Sequence, residues 1–315
     1  MKSQIITVFG GAHIDRRGRI FGTTVAGASN PGAWFEEAGG GGFNAARNLA
    51  RLGLDVRMIS PRGGDSVGEM VSSAALAAGV DDRPFTFLDR RTPSYTAIIE
   101  NDGNLVIALA DMELYNLFSP RRLRQRALRE TISESGLILT DANLPAETLA
   151  ALTQNAHTQG KIVAAIAISP AKVIRLLPSL AYLDFLFMNE AEARAVTGQD
   201  VTDAKEWPVL LRESGLKGGV VTRGGRAVVA FRGHEVASIV PPRLDALGDV
   251  TGAGDALASG FLFALLQGSS VGESLRTGVA AARLTVASPL AVSENMNQQE
   301  LKSAIALVPE AEILS

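Results

Sequence analysis

The 315-residue chain contains no cysteine. Disulfides, thiolate zinc sites and a cysteine nucleophile are therefore excluded, and the composition fits a reducing compartment. Histidine is scarce as well. His13, His157 and His234 stand far apart in the sequence, and no histidine-rich metal site is readable. Aromatic residues make up only 5% against 46% hydrophobic overall, so the core has to be aliphatic. Such a core suits helices packed on a parallel sheet better than a sandwich of aromatic-rich antiparallel strands. Neither sign of charge dominates: 30 Lys and Arg face 33 Asp and Glu, for a net charge of −3. The densest basic run (Arg121, Arg122, Arg124, Arg126, Arg129) falls on a predicted helix without interleaved aromatics. It reads as a solvated face, and nucleic acid is not an expected partner. No apolar run approaches membrane-spanning length, and the one at the N-terminus is too short for a signal peptide. The expectation is a cytoplasmic protein with no membrane partner.

What is abundant is glycine, 32 residues of it, and its placement is informative. Asp-Val-Thr-Gly-Ala-Gly-Asp, from Asp249 to Asp255, runs straight into an apolar helical stretch. A helix start leaves four backbone N–H groups without intrahelical acceptors and carries the positive end of the macrodipole. Three small residues there, Gly252, Ala253 and Gly254, let an anion lie directly on those amides. Asp255 projects beside that anion. A carboxylate gains nothing from a neighbouring phosphate, but it can accept a proton from a hydroxyl attacking that phosphate. The alternative, a glycine-softened helix start with an ordinary first-turn acid, stays open on these residues alone.

In chain order, residues 4–9 form a buried strand ending at Gly10-Gly11, which would put Asp15 in the loop at the carboxyl edge of a sheet. There it is either an acceptor for ligand hydroxyls or a solvated aspartate. Residues 18–38 and 83–109 interrupt the helix–strand alternation with short strands, including 84–88, 95–100 and 105–109, and Asn101-Asp102-Gly103-Asn104 is a hairpin turn. A small sheet lid contributed in two pieces accounts for them and could exclude water from a site. Between the pieces, Gly39-Gly40-Gly41-Gly42-Phe43-Asn44 opens a helix. Its spacing formally satisfies the dinucleotide fingerprint. That fingerprint requires an apolar strand just before the glycines and an acid at the end of the next strand. The preceding residues are instead Trp-Phe-Glu-Glu-Ala, and the next strand ends in Ser60-Pro61, so a dehydrogenase is set aside. What remains is a glycine bed for a compact polar ligand, with Asn44 able to donate and accept.

From Ser66 the alternation is regular: helices at 67–78, 120–132 and 145–159, and strands at 137–140, 162–168, 183–188 and 219–222. A hairpin at 227–231 and 236–240 follows. This pattern predicts a parallel sheet with right-handed crossovers in one domain spanning 1–315. Asn189 ends a strand and Glu192 lies one turn into the next helix, close enough to hold a hydrated magnesium or simply to cap the helix. Thr222-Arg223-Gly224-Gly225 is a turn suited to phosphate or to a plain hairpin.

Asp249–Asp255 resembles the C-terminal signature of the ribokinase-like (PfkB) carbohydrate kinases, and Gly39–Asn44 resembles their N-terminal glycine signature. Asn189-Glu190-Ala191-Glu192 is similar to their Asn-x-x-Glu, and Thr222–Gly225 to their Thr-x-Gly turn. The matches fall in family order over the whole chain. The resemblance implies a three-layer α/β/α fold with a mostly parallel central sheet and a β lid. It also implies ATP, Mg²⁺, in some members K⁺, and homodimers formed through the lid. On it, Asp255 is the base, and the amides of Gly252, Ala253 and Gly254 hold the transferring phosphoryl. Asn189 and Glu192 organise Mg²⁺–triphosphate, and Thr222, Arg223, Gly224 and Gly225 lie at the nucleotide. Asp249 and Thr251 fall in the segment of potassium ligands, while Asp15, Gly40, Gly41 and Asn44 bind the acceptor.

Within the family, Ser29–Gly32, Thr92–Tyr95, Ala110–Met112 and Thr140–Leu144 look most like the pseudouridine kinases. That would put Ser94, Tyr95 and Asp111 near the base of a nucleoside and Asn143 below its ribose. The chain departs from that branch where an Asp-Pro is replaced by Ala165-Ile166-Ala167-Ile168-Ser169-Pro170. The expected activity is ATP-dependent phosphorylation of a primary hydroxyl of a ribosyl compound, the 5′-OH of pseudouridine first. Ribose, fructose, 2-keto-3-deoxygluconate and purine nucleosides are the near alternatives. A non-catalytic sugar- or nucleoside-binding protein on the same fold is the distant one, and the intact Gly-Ala-Gly-Asp and Asn-x-x-Glu argue against it.

Overall fold

The computed structural model describes residues 4–243 and 250–314. Strand β1 (Ile6–Phe9) is followed by β2 (His13–Ile20), β3 (Gly32–Gly39) and helix α1 (Gly41–Arg51). Then come β4 (Val56–Ile59), β5 (Pro61–Gly63), α2 (Ser66–Ala77), β6 (Asp81–Asp82), β7 (Phe85–Phe87), β8 (Ser94–Ile99) and β9 (Leu105–Asp111). The alternation continues through α3 (Pro120–Leu123), α4 (Arg126–Glu134), β10 (Leu137–Asp141), α5 (Ala146–Thr158), β11 (Ile162–Ile166) and α6 (Pro170–Val173). After them lie β12 (Phe185–Asn189), α7 (Glu190–Thr197), α8 (Trp207–Glu213), β13 (Gly218–Thr222), β14 (Val228–Arg232) and β15 (Glu235–Ile239). The last elements are α9 (Ala253–Leu266), α10 (Val271–Val286), α11 (Gln298–Ile305) and β16 (Glu312–Leu314).

Among the described residues, ten strands form one sheet in the order β16-β15-β14-β13-β12-β11-β10-β1-β4-β6. Neighbours from β13 to β6 are parallel, and β14, β15 and β16 extend the sheet antiparallel. Side chains alternate across a strand, so each central strand feeds two cores. Leu137 and Leu139 pack with Phe43, Leu49, Phe261 and Leu275 from α1, α9 and α10. Ile138, between them, packs with Leu149, Leu152, Trp207 and Leu211 from α5 and α8. Two apolar faces covered by helices give the three-layer α/β/α fold that the aliphatic composition and the family resemblance imply.

The second sheet, in the order β3-β2-β8-β9, is the lid. It begins at His13 rather than near residue 18, so Asp15 belongs to a lid strand and not to the loop expected after β1. Residues 84–88 do not join it. Their strand β7 pairs instead with β5 in a separate two-stranded ribbon. The turn at 101–104 is present, closed by a bond from the Glu100 N–H to the Asn104 carbonyl (2.8 Å). A strand does precede the glycines of α1, but it is the exposed lid strand β3 and not a buried strand of the main sheet. The single helix expected at 120–132 is two. Leu123 and Leu128 both reach the core, and five residues apart on one helix they would point in different directions. An extended Gln125 (ψ 140°) makes the bend.

Helix α9 is anchored by Phe261, whose ring meets Phe185 and Phe187 edge-on at centroid distances of 5.0 and 5.4 Å. Truncation to Phe261→Ala should cost about 3–5 kcal/mol. A denaturant midpoint shift of under 1 kcal/mol equivalent would show that α9 is held elsewhere.

Candidate active site

Two helix starts meet at the carboxyl ends of the central strands. One is α1, entered through Gly40 at φ 108°, where a Cβ would sit 2.4 Å from the Gly11 carbonyl oxygen. The other is α9, entered through Gly252 at φ 79°, where a Cβ would lie 2.0 Å from the Ala291 carbonyl oxygen. Neither position has room for a side chain, and both backbone conformations favour glycine. At Gly254, by contrast, a Cβ would meet nothing within 4 Å. That open space is where an anion could lie.

One expectation about this tip needs correcting. The Ala253 N–H donates to the Val250 carbonyl at 3.2 Å and is turned inward. The open donors among the described residues are those of Gly252, Gly254 and Asp255, because the turn into the helix consumes the amide between the two glycines.

Asp255 stands over this tip. Asn44 donates from its Nδ2 to Asp255 Oδ2 at 2.9 Å. Arg47, one turn further along α1, donates from Nη2 to Asn44 Oδ1 at 2.7 Å and to the Ala38 carbonyl at 2.6 Å. Asp255 is partly buried and borders the cleft. Desolvation, against the bond from Asn44 and with the nearby carboxylates of Asp141 and Glu192 adding to it, pushes its pKa up to about 7. Burial likewise lowers the Arg47 guanidinium to about 10.

Beneath α1 lies a residue that sequence reasoning quoted but did not single out. Asp141, fully buried at the end of β10, accepts from the N–H groups of Gly11 (2.9 Å), Gly42 (2.8 Å) and Asn143 (2.9 Å), and from Asn143 Nδ2 (2.9 Å). Its carboxylate ties together the turn after β1, the start of α1 and the Asn143 side chain. The signal was available, since a polar residue ending a buried strand needs partners. Lys172 is a second addition. Its Nζ donates to Asn143 Oδ1 at 2.6 Å, and burial lowers its pKa. His13 is a third, placed between Tyr115 Oη (2.9 Å) and Asp15 Oδ1 (3.3 Å).

The cleft that unites these groups has a volume of about 550 Å³. Asp15, Gly40, Gly41, Asn44, Tyr95, Asn143, Asn189, Glu192, Thr222, Thr251 and Gly252 to Asp255 all border it, together with Lys172 and Ile168. Ser94 and Asp111 do not. They pair with each other across the lid, and the period of two explains the difference. Tyr95 shares a face with its partner Asp15 and looks into the cleft, whereas Ser94 shares the opposite face with buried Ile14. Arg223 is also diverted. Its Nε binds Glu190 Oε1 at 2.8 Å, and Arg226 takes the other oxygen at 2.6 Å. Asp249 lies outside the described residues.

Asn189 and Glu192 form a capping box: the Glu192 N–H donates to Asn189 Oδ1 (2.9 Å) and the Asn189 N–H to Glu192 Oε2 (2.7 Å). The helix-capping alternative is therefore realised, with one Glu192 oxygen outside the box. Among the described residues no cluster of three carboxylates or imidazoles could hold a metal by itself. The donor set suits a magnesium ion that keeps most of its waters and takes its oxygens from a polyphosphate. A second, more apolar cavity of about 540 Å³ shares Thr222, Val250, Ala253, Gly254 and Leu257 with the first. It continues to Pro241, Pro242, Val279, Ala282 and Val286, beside Gly224 and Gly225. An apolar slot opening onto a bare helix tip fits a nucleotide, with its base in the slot and its phosphates at Gly254. No local residue pattern announces this slot.

The pfkB family carbohydrate kinase profile matches residues 6–298, and the chain belongs to that family. It is a kinase that transfers phosphate to a hydroxyl of a small sugar or nucleoside, and kinases of this family use ATP. The chain is 28% identical to the pseudouridine kinase of Escherichia coli over 98% of both proteins. It is 27% identical to a ribokinase of Haemophilus influenzae, covering 94% of this chain and 96% of that one. Among solved structures, a carbohydrate kinase from Agrobacterium tumefaciens is 59% identical, with a TM-score of 0.91 over 99% of this chain and all of that one. The ribokinase of Arabidopsis thaliana, solved with ribose and ATP, shares the fold at a TM-score of 0.83, with 20% identity over 96% and 99% of the two chains. Among the described residues no helix is long and apolar enough to cross a membrane.

The Asp255 environment has a consequence for stability. Its folded pKa of about 7 exceeds the ordinary 3.8, so the folded state binds the extra proton between those values. The associated stability is complete below about pH 4 and lost as the pH rises through about 7. Asp255→Asn should therefore raise the denaturant midpoint at pH 8 and leave it nearly unchanged at pH 4. Equal shifts at both pH values would contradict the environment described.

Proposed function

We propose that the chain transfers the γ-phosphoryl group of ATP to a primary hydroxyl of a ribosyl compound, with the 5′-OH of pseudouridine as acceptor. One observation carries the reading. Asp255, raised to about 7 and steered by Asn44, stands beside the open N–H groups of Gly252 and Gly254. An attacking hydroxyl between the two would lose its proton to Asp255 while the amides take up the charge of the transferring group. Asp15, Asn44, Asn143 and the amides of Gly40 and Gly41 would orient the acceptor, with Tyr95 on its lid side. Thr222, Gly224 and Gly225 would contact the nucleotide. Asn189 and Glu192 would hold waters of a magnesium ion, which neutralises polyphosphate charge when bound. The segment of Asp249 and Thr251 would take a monovalent cation.

Support for pseudouridine comes from the lid and Asn143 stretches and from the Escherichia coli relative. The departure at Ala165–Pro170, where an Asp-Pro is replaced, leaves ribose, fructose, 2-keto-3-deoxygluconate and purine nucleosides as outcomes of the test. A cytoplasmic setting follows from the need for ATP. A homodimer through the lid is part of this reading, since Trp34, Ile107 and Leu109 stand exposed on that sheet.

Asp255→Asn should lower turnover roughly 10²–10⁴-fold while ATP binding persists. Near-normal turnover would reject the base assignment. With Asp255 ionised only above about pH 7, turnover should rise with pH to a plateau near 8. ADP release measured with pseudouridine, uridine, ribose and fructose selects the acceptor. Release with ribose or fructose but not pseudouridine refutes the nucleoside part.

A further inference from the structure

One acidic side chain of the lid reaches into the phosphoryl-binding tip without touching the cleft. Glu37 on β3 lies opposite Asp15 on β2, so both project from the same face of the lid. Its two carboxylate oxygens accept from the Ala291 N–H at 3.2 and 3.4 Å, across 254 residues of sequence. The carbonyl of the same Ala291 presses on Gly252, leaving no space for a methyl group. A single residue, its N–H held by the lid and its carbonyl touching the anion-binding turn, thus fixes where Gly252 sits. The Arg47 guanidinium is the strongest favourable charge acting on the half-buried Glu37 carboxyl, ahead of Arg17, with Asp15 opposing. Arg47 in turn binds the carbonyl of Ala38, the next lid residue, and the Asn44 that steers Asp255.

We infer that Glu37 is a positioning residue for phosphoryl transfer: through Ala291 it sets the Gly252 turn of α9. The lid thereby contributes to the geometry of the reaction centre as well as covering it. The inference rests on the reading of Gly252–Asp255 as the phosphoryl cradle. Preorganised donors of this kind act only when held in place before charge develops. An acceptor on Ala291 is what holds this one.

The test uses the whole chain with the acceptor that ADP release selects for the parent. Glu37→Ala removes the link to Ala291. Glu37→Gln keeps a carbonyl oxygen for the Ala291 N–H and removes only the charge. Glu37→Ala should lower kcat 10- to 100-fold with KM for ATP changed less than threefold, and Glu37→Gln should recover a large part of that loss. Backbone hydrogen exchange at Ala291 and Gly252–Asp255 should speed up at least tenfold in Glu37→Ala and much less in Glu37→Gln. Three results overturn the inference: parental kcat in Glu37→Ala despite a lowered melting temperature, a loss confined to KM for the acceptor, or unchanged exchange at Gly252–Asp255. A parent that releases no ADP with any acceptor would instead refute the proposed function, so the two failures are distinguishable.

Discussion

The site depends on the hydrogen bond between Asn44 and Asp255, because it joins helix starts that lie 211 residues apart in sequence. Both belong to helices covering the same face of the sheet, and Ser259 adds a second link by donating to the Ala45 carbonyl at 3.3 Å. Glycines make the approach possible. A side chain at Gly41 would collide with Ile168 and crowd Asp255 Oδ1 at 3.2 Å, and one at Gly260 would push α9 off α10. With the two tips together, one helix presents open amides and the other presents the side chain that orients the base.

The same closeness creates an electrostatic problem that the fold resolves unevenly. Asp15, Glu192 and Asp255 border the cleft with Asp141 buried behind it, and Arg47 and Lys172, both lowered by burial, are cations nearby. Asp141 is satisfied by four hydrogen bonds, whereas Glu192 accepts one through its capping box and is also raised by burial. Asp255 receives one side-chain bond and keeps an oxygen toward the cleft, so the cost of desolvation concentrates on it. A carboxylate kept partly unsatisfied is what a proton acceptor needs, and the pKa near 7 follows from that shortage of partners. Ile168, a β-branched residue held at φ 71°, packs against Gly41 beside this group. A conformation of that kind persists only where its surroundings enforce it. It lies in the stretch where the chain departs from the pseudouridine kinase pattern.

Much of the architecture was legible from local chemistry. Buried parallel strands announce themselves as short apolar runs, and β10, β11, β12 and β13 fall within a few residues of expectation. The helix start at Gly-Ala-Gly-Asp was legible because small residues run straight into an apolar helical stretch, although the role of the acid beside it stayed open on those residues alone. The lid was harder. Its strands are exposed on at least one side, so hydrophobic alternation is weak, and β7 was assigned to the wrong sheet. The family resemblance put Ser94 and Asp111 at the ligand, but a matching stretch says nothing about which face of a strand each residue occupies.

What the sequence determined alone is the chemistry at points: where a helix start with small residues lies, which carboxylate follows it, and that the core is aliphatic and layered. Those properties depend on a few neighbouring residues and survive any folding of the rest. Tertiary structure decided everything set by distance between remote segments: the Asn44–Asp255 bond, the Asp141 knot, the apolar slot beside Gly254 and the reach of Glu37 to Ala291. Each joins elements brought together only when helices of fixed length close over a sheet of fixed order, and no local pattern of residues encodes that meeting.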